Sequence, residues 1–221
     1  MLKAEGRRQN PEGLVLVCFA MKEEAGAFRN IAAGRPGVQV LVTGIGRKNA
    51  EMSVRGLLQA NPPKLVLTCG FAGGLNPELT IGTVIFETAD PLLREQLTRA
   101  GAKPAKFCCA ERIAATVTEK QHLRQGTGAD AVEMESEAIQ ACCRGRGIPC
   151  ATLRVISDAA DEDLPLDFNQ VMTPDRRMNY FKLTGRLLKS PGKIGALLRL
   201  RKQSVAAAEK LASVLVKTIP A

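Results

Sequence analysis

The chain has 221 residues, 45% of them hydrophobic, with no Trp and a single Tyr, which suits one α/β domain around an aliphatic core. No apolar run approaches the roughly 20 residues that span a bilayer, and Met1–Gly13 lacks an apolar stretch, so neither a membrane span nor a secretory signal is expected. The net charge of +9 sits largely in the last forty residues, where stacking aromatics are scarce. It therefore reads as a solvated helix face rather than a nucleic-acid site, with weak contact to a membrane surface as the alternative.

Leu14–Ala20 is a short continuous apolar run, as in a strand buried on both faces. Val38–Thr43 predicts a second strand, closed by Gly44-Ile45-Gly46. Helical spacing runs from Lys48 to Ala60 until Pro62-Pro63 stop it. Lys64–Cys69 predicts a third strand, broken by Gly70-Phe71-Ala72-Gly73-Gly74. Further strands are expected at Thr83–Glu87 and around Lys106–Ala110, a helix over Ala131–Arg146 and a strong strand over Cys150–Ile156. A helix can start at Pro174-Asp175, and Lys193–Lys217 is a long amphipathic segment. No linker or repeat is visible, so residues 1–221 read as one domain, with 1–12 a flexible lead-in and 175–221 a C-terminal helical segment. This alternation implies a largely parallel sheet covered on both faces, whose ligands bind beyond the carboxyl ends of the strands.

The seven cysteines are an odd number and form no CxxC pair, and His122 is the only histidine. This predicts buried free thiols in a reducing cytosol, no metal site and no cofactor. Gly44-Ile45-Gly46 resembles part of a dinucleotide fingerprint. The next strand, however, ends in Thr68-Cys69 rather than in an acid, which favours a tight turn where backbone approaches a neighbour. The Gly70–Gly74 run serves equally well as a ligand approach or as a β-bulge. Two acidic motifs stand out: Val132-Glu133-Met134-Glu135 and Ser157-Asp158-Ala159-Ala160-Asp161. Taken singly, Glu135 suits the positive end of its own helix, and Ser157 or Asp158 suits a helix cap. Taken together, two carboxylates at strand and helix ends are what acid-assisted glycosidic cleavage requires.

With Ala20-Met21-Lys22-Glu23-Glu24, Thr43–Gly46 and Cys69–Leu75, these motifs follow the order found in the nucleoside phosphorylase superfamily. The resemblance covers roughly residues 14–165 and is strongest to the methylthioadenosine/S-adenosylhomocysteine nucleosidases. It implies a three-layer α/β/α sandwich around a mixed, largely parallel sheet, and a homodimer or larger homo-oligomer. It also implies hydrolysis of the ribosyl–adenine bond of a small nucleoside without a cofactor. Carried over, Asp158 becomes the acid at purine N7, with Ser157 positioning it. Glu24 activates the attacking water. Met134 and Glu135 meet the ribose, and Gly70, Phe71, Ala72, Gly73, Arg112 and Ile113 complete the substrate site.

Phosphorylases of the superfamily hold phosphate with arginines and a hydroxyl near the glycine-rich strand end. Here Phe71 stands where the hydroxyl is expected, with no arginine beside it, which favours hydrolysis. Residues 88–105 form a shorter stretch than in the nucleosidases, and Arg112 stands where an aromatic commonly faces the base. The alternatives are a phosphorylase acting on an unusual, hopanoid-linked nucleoside, or a nucleoside-binding protein without catalysis.

Overall fold

The computed structural model describes residues 13–176, 179 and 191–219. The expectations for residues 1–12, and for the stretch of the basic C-terminal segment at 180–190, lie outside the described residues. Strand β1 (Val15–Phe19) is central to the architecture, and all five of its residues are buried. Successive side chains point to opposite faces. Val15, Val17 and Phe19 join one apolar cluster, while Leu16 and Cys18 join another. That double burial is why the run is continuously apolar.

Parallel neighbours flank β1: β2 (Val38–Val42) on one side and β3 (Leu65–Gly74) on the other. Beyond β3 lie β8 (Cys150–Asp158), parallel to it, then antiparallel β4 (Val84–Thr88) and the two-residue β5 (Lys103–Pro104). Two short strands, β6 (Phe107–Cys109) and β7 (Ala131–Glu133), attach through β7 to the far end of β3. The eight-stranded sheet is mixed and mostly parallel, as expected.

One face of the sheet is covered by α1 (Lys22–Ala32), α3 (Pro91–Arg99) and the second half of α6 (Ile194–Thr218). The other face carries α2 (Arg47–Ala60) and α5 (Ser136–Arg144). Leu211, Val214 and Leu215 bury the second half of α6, at roughly 1.5–3 kcal/mol for each side chain. The first half leaves Ile194, Leu198 and Val205 exposed. No described helix is long and apolar enough to cross a membrane, and all seven cysteines are free thiols.

Several elements differ from the sequence expectation. The third strand does not break at Gly70 but runs on to Gly74, with a register irregularity at Ala72/Gly73 where it pairs with β8. Ala131–Glu133 is not the start of a helix. It is strand β7, recruited by antiparallel pairing of Val132 with Gly73, and the helix begins only at Ser136. Three helices had no assignment from sequence: α1, α3 and α4 (Val117–Thr127). In α1 the buried positions include only Ala25 and Phe28 as apolar residues. In α4 the one buried residue is Lys120, so neither helix displays an apolar stripe. Pro174 and Asp175 lie in a turn, and the residues over which a helix was expected to follow lie largely outside the described ones.

Candidate active site

A cavity of about 250 Å³ opens at the carboxyl ends of β1, β3 and β8. It sits near the ~300 Å³ low end of small-ligand pockets, a size for one small nucleoside rather than a dinucleotide. Of the residues expected in the site, Glu24, Phe71, Ala72, Gly73, Arg112, Ile113, Met134, Glu135, Ser157 and Asp158 all line it. Gly70 does not line it and lies behind the wall. Its φ is +149°, and a Cβ there would meet Glu24 Oε1 at 2.6 Å and an Arg154 guanidinium nitrogen at 2.8 Å. Gly70 is therefore required by the packing of a carboxylate against a guanidinium, in a backbone conformation that L side chains rarely adopt. Gly70→Ala should push Glu24 out of place and lower turnover at least about tenfold, checked by steady-state kinetics beside a thermal melt.

Glu24 comes from the first turn of α1 and is almost fully buried. Its Oε2 accepts from Met21 N–H (2.9 Å) and its Oε1 from Phe71 N–H (2.8 Å), so both oxygens are fixed at the cavity wall. Burial raises its pKa, opposed by the nearby charge of Arg154 and by these backbone donors. A carboxylate tuned upward is better matched to removing a proton near neutral pH.

The Glu-Met-Glu motif divides its labour in a way that sequence alone left open. Glu133 is the cap: its Oε2 accepts from Glu135 N–H (3.0 Å) and Ser136 N–H (2.8 Å), and its Oε1 accepts from Ser136 Oγ (2.7 Å). Glu135, although at the N-cap position of α5, makes no side-chain cap bond. Its Oε1 accepts instead from Gly46 N–H across the cavity mouth (2.8 Å). Gly44 and Gly46, at φ +88° and +87°, form the tight turn expected of that run, and it brings this N–H to the carboxylate. Burial pushes Glu135 up to about 7. Arg154 opposes the shift, while Glu133 and Glu24 reinforce it.

Beneath all three carboxylates lies Arg154 of β8, only 1% exposed. It donates to Glu133 Oε2 at 2.5 Å, to Thr68 Oγ1 at 3.3 Å and to Glu135 Oε2 at 3.4 Å. Burial acts to raise the pKa of Glu133, but the Arg154 charge and the Ser136 and Glu135 donors outweigh it and hold Glu133 below its ordinary value. Burial likewise acts to lower the Arg154 pKa, and the three carboxylates more than reverse this, so the guanidinium stays charged. A charged residue in the middle of a buried strand requires a partner, and that was the signal available in Leu153-Arg154-Val155.

Ser157 and Asp158 cap no helix. They end β8, and the next helical turn begins only at Phe168. Ser157 Oγ donates to Asp158 Oδ1 at 2.7 Å and lies 3.3 Å from Ala72 O. Asp158 Oδ2 pairs with Lys120 Nζ of α4 at 2.7 Å. A Cβ at Gly73 would lie 3.3 Å from Asp158 Oδ2, which accounts for the small residue at the bulge. Glu24 thus meets β3 at Gly70–Phe71 and Asp158 meets it three residues later.

The opposite wall is apolar, with Met21, Ile45, Leu164, Phe168, Met172 and Leu200. Arg112 is exposed at the rim, its guanidinium engaged by Glu119. Phe168, rather than position 112, gives this wall an aromatic side chain. Asn169 fixes it by accepting from Ile113 N–H and donating to Ile113 O, both at 2.9 Å. Among the described residues no group of three or more His, Cys, Asp or Glu side chains is placed to hold a metal.

Comparison with known proteins gives likenesses in sequence and in fold. Residues 87–189 match the family model described as "Phosphorylase superfamily". A 5′-methylthioadenosine/S-adenosylhomocysteine nucleosidase of Anoxybacillus flavithermus is 27% identical over 210 residues, covering 72% of this chain and 90% of that protein. Among solved structures, the corresponding nucleosidase of Campylobacter jejuni superposes with a TM-score of 0.70 at 17% identity, covering 93% of this chain and 98% of that one. The futalosine hydrolase of Helicobacter pylori superposes with a TM-score of 0.67 at 17% identity, covering 91% and 96%. Residues 87–189 are thus similar in sequence to the phosphorylase superfamily, and over nearly its whole length the chain has the fold of these solved nucleosidase and hydrolase structures.

Proposed function

We propose that the protein is a purine-nucleoside N-glycosidase that hydrolyses the ribosyl–adenine bond of methylthioadenosine- or S-adenosylhomocysteine-like nucleosides. The observation that carries this reading is one cavity bounded by Asp158, Glu24 and Glu135, whose described lining offers an incoming anion only Arg112, already engaged by Glu119. A phosphate there would face carboxylates without a free cation, whereas a water would find acceptors.

In this scheme the purine lies against Ser157 and Asp158, and Asp158 protonates or hydrogen-bonds N7 so that the base leaves as a neutral group. Glu135 accepts the ribose hydroxyls beside Met134, and its charge stabilises the oxocarbenium-like ribosyl centre. Glu24 takes the proton of a water that attacks from the face opposite the base. Attack from that face inverts the ribosyl centre, as in inverting glycoside hydrolysis. The apolar wall from Met21 to Leu200 suits an apolar 5′-substituent. Action in the cytosol, as a single-domain homodimer or larger homo-oligomer, belongs to the same proposal and is supported by the free thiols and the family likeness.

Adenine release from 5′-methylthioadenosine, measured with and without inorganic phosphate, is the test. Equal rates are expected in both, with free methylthioribose as product. Strict phosphate dependence would establish a phosphorylase instead, and tight nucleoside binding without turnover would establish a binding protein. Glu24→Gln should reduce the hydrolytic rate about 100-fold, within the range of general-base catalysis.

A further inference from the structure

Lys120 is a charged side chain bonded to a cavity residue, Asp158, and the proposed mechanism leaves it unused. It is completely buried, on a helix otherwise open to solvent. Its ammonium has three protons and three oxygen partners: Asp158 Oδ2 at 2.7 Å, Ala159 O at 2.6 Å and Glu162 O at 2.8 Å. All three donors are used, so the group is held as a cation with fixed orientation. Of the three partners, only Asp158 also faces the cavity.

We propose that Lys120 is a positioning residue for departure of the base, acting through Asp158; this rests on the hydrolase reading above. In the free protein Asp158 is the carboxylate partner of Lys120, so the proton that N7 needs is taken up from solvent as the nucleoside binds and then lies between Asp158 and N7. As the C1′–N9 bond breaks, its electron pair goes to the purine, N7 keeps the proton, and Asp158 is left as a carboxylate. That negative charge returns on a largely buried side chain, where a fixed ammonium 2.7 Å away is worth more than it would be in solvent. Ser157 Oγ holds the other oxygen, so the carboxylate is fixed at both ends.

A purely structural alternative exists, because Lys120 also ties down the 159–162 loop through two carbonyls. The two roles separate by leaving group. With 5′-methylthioadenosine the base must be protonated, whereas 4-nitrophenyl β-ribofuranoside expels a stable phenolate and needs no acid. In the 221-residue chain, Lys120→Met should lower kcat/KM about 100-fold on the nucleoside and less than about fivefold on the nitrophenyl riboside, with Lys120→Arg recovering about tenfold. Equal losses on both substrates, or no loss on either, would overturn the proposal. Lys120→Gln keeps a donor for the loop carbonyls without the charge, and it carries the same comparison if Lys120→Met does not fold by circular dichroism.

Adenine binding by calorimetry distinguishes the failures. A wild type that binds adenine but cleaves no nucleoside overturns the hydrolase reading, and of the Lys120 proposal it leaves the positioning of Asp158 at the base. The affinity for adenine then carries the Lys120 test, expected to weaken about tenfold in Lys120→Met; an unchanged affinity overturns the proposal. A wild type that neither binds adenine nor cleaves overturns both.

Discussion

Asp158→Asn should lower adenine release about a thousandfold and make the protein less stable. The first effect follows from the proposed role of Asp158 as the acid for the leaving base, worth about 10²- to 10⁴-fold in comparable proton transfers. Asparagine keeps the shape and an acceptor for Ser157 Oγ, so substrate affinity should change far less than kcat. The second effect follows from Lys120, whose buried ammonium loses its counter-charge. Breaking one side of a buried ion pair costs about 3–5 kcal/mol, although the cavity-side exposure of Asp158 places this case at the low end. At about 2–4 °C per kcal/mol for a chain of this size, the melting temperature should fall by about 6–12 °C. Adding Lys120→Met to Asp158→Asn should restore most of that loss without restoring activity, because the double variant has no unpaired charge. A double-mutant cycle in both melting temperature and kcat therefore separates the pair's role in stability from its role in chemistry. Wild-type activity in Asp158→Asn would remove Asp158 from the mechanism.

The parts of this site that are legible in sequence share one property: their information is local. β1 is readable because both faces are buried, which turns its residues into a continuous apolar run. The turn at Gly44-Ile45-Gly46 is readable because glycines at positive φ mark it directly. Glu24, Glu135 and Asp158 are readable through their motifs and their position after strands. What sequence hides is decided by partners far along the chain. Residues 131–133 carry no mark of a strand, and they become β7 only because the end of β3 is adjacent. Nothing in Glu119-Lys120-Gln121-His122 distinguishes a fully buried lysine from a solvated one, since its partners, Asp158, Ala159 and Glu162, lie far along the chain. Arg154 is the intermediate case. Its place inside an apolar strand demanded a buried counter-charge, but not which carboxylate would supply it.

The same crowding of carboxylates around Arg154 predicts a conflict between stability and activity at Glu135. One guanidinium faces Glu24, Glu133 and Glu135, and burial pushes Glu135 up to about 7, with its two acidic neighbours adding to the shift. A carboxyl group whose pKa is raised on folding binds more protons in the folded chain than in the unfolded one between its ordinary value, 4.5, and about 7. Stability therefore falls as pH rises through that window. The shift at Glu135 corresponds to a loss on the order of 3 kcal/mol that is complete above about pH 7. Glu24, also raised, acts in the same direction, whereas the lowered pKa of Glu133 makes its own contribution fade only at more acidic pH. Glu135→Gln keeps an acceptor for Gly46 N–H and removes the charge, while Arg154 retains its 2.5 Å partner Glu133. The variant should melt within about 2 °C of the wild type at pH 5 but about 5–10 °C above it at pH 8. Over the same range its kcat/KM should be about 100-fold lower, the loss expected when a charged acceptor for ribose hydroxyls becomes neutral. In the wild type, kcat/KM should climb as Glu135 ionises, up to about pH 7, and the variant should lack that limb. A variant that melts below the wild type at pH 8 would show that Arg154 needs Glu135 more than the crowded site suffers from it. The carboxylate would then be structural first and a ribose holder second.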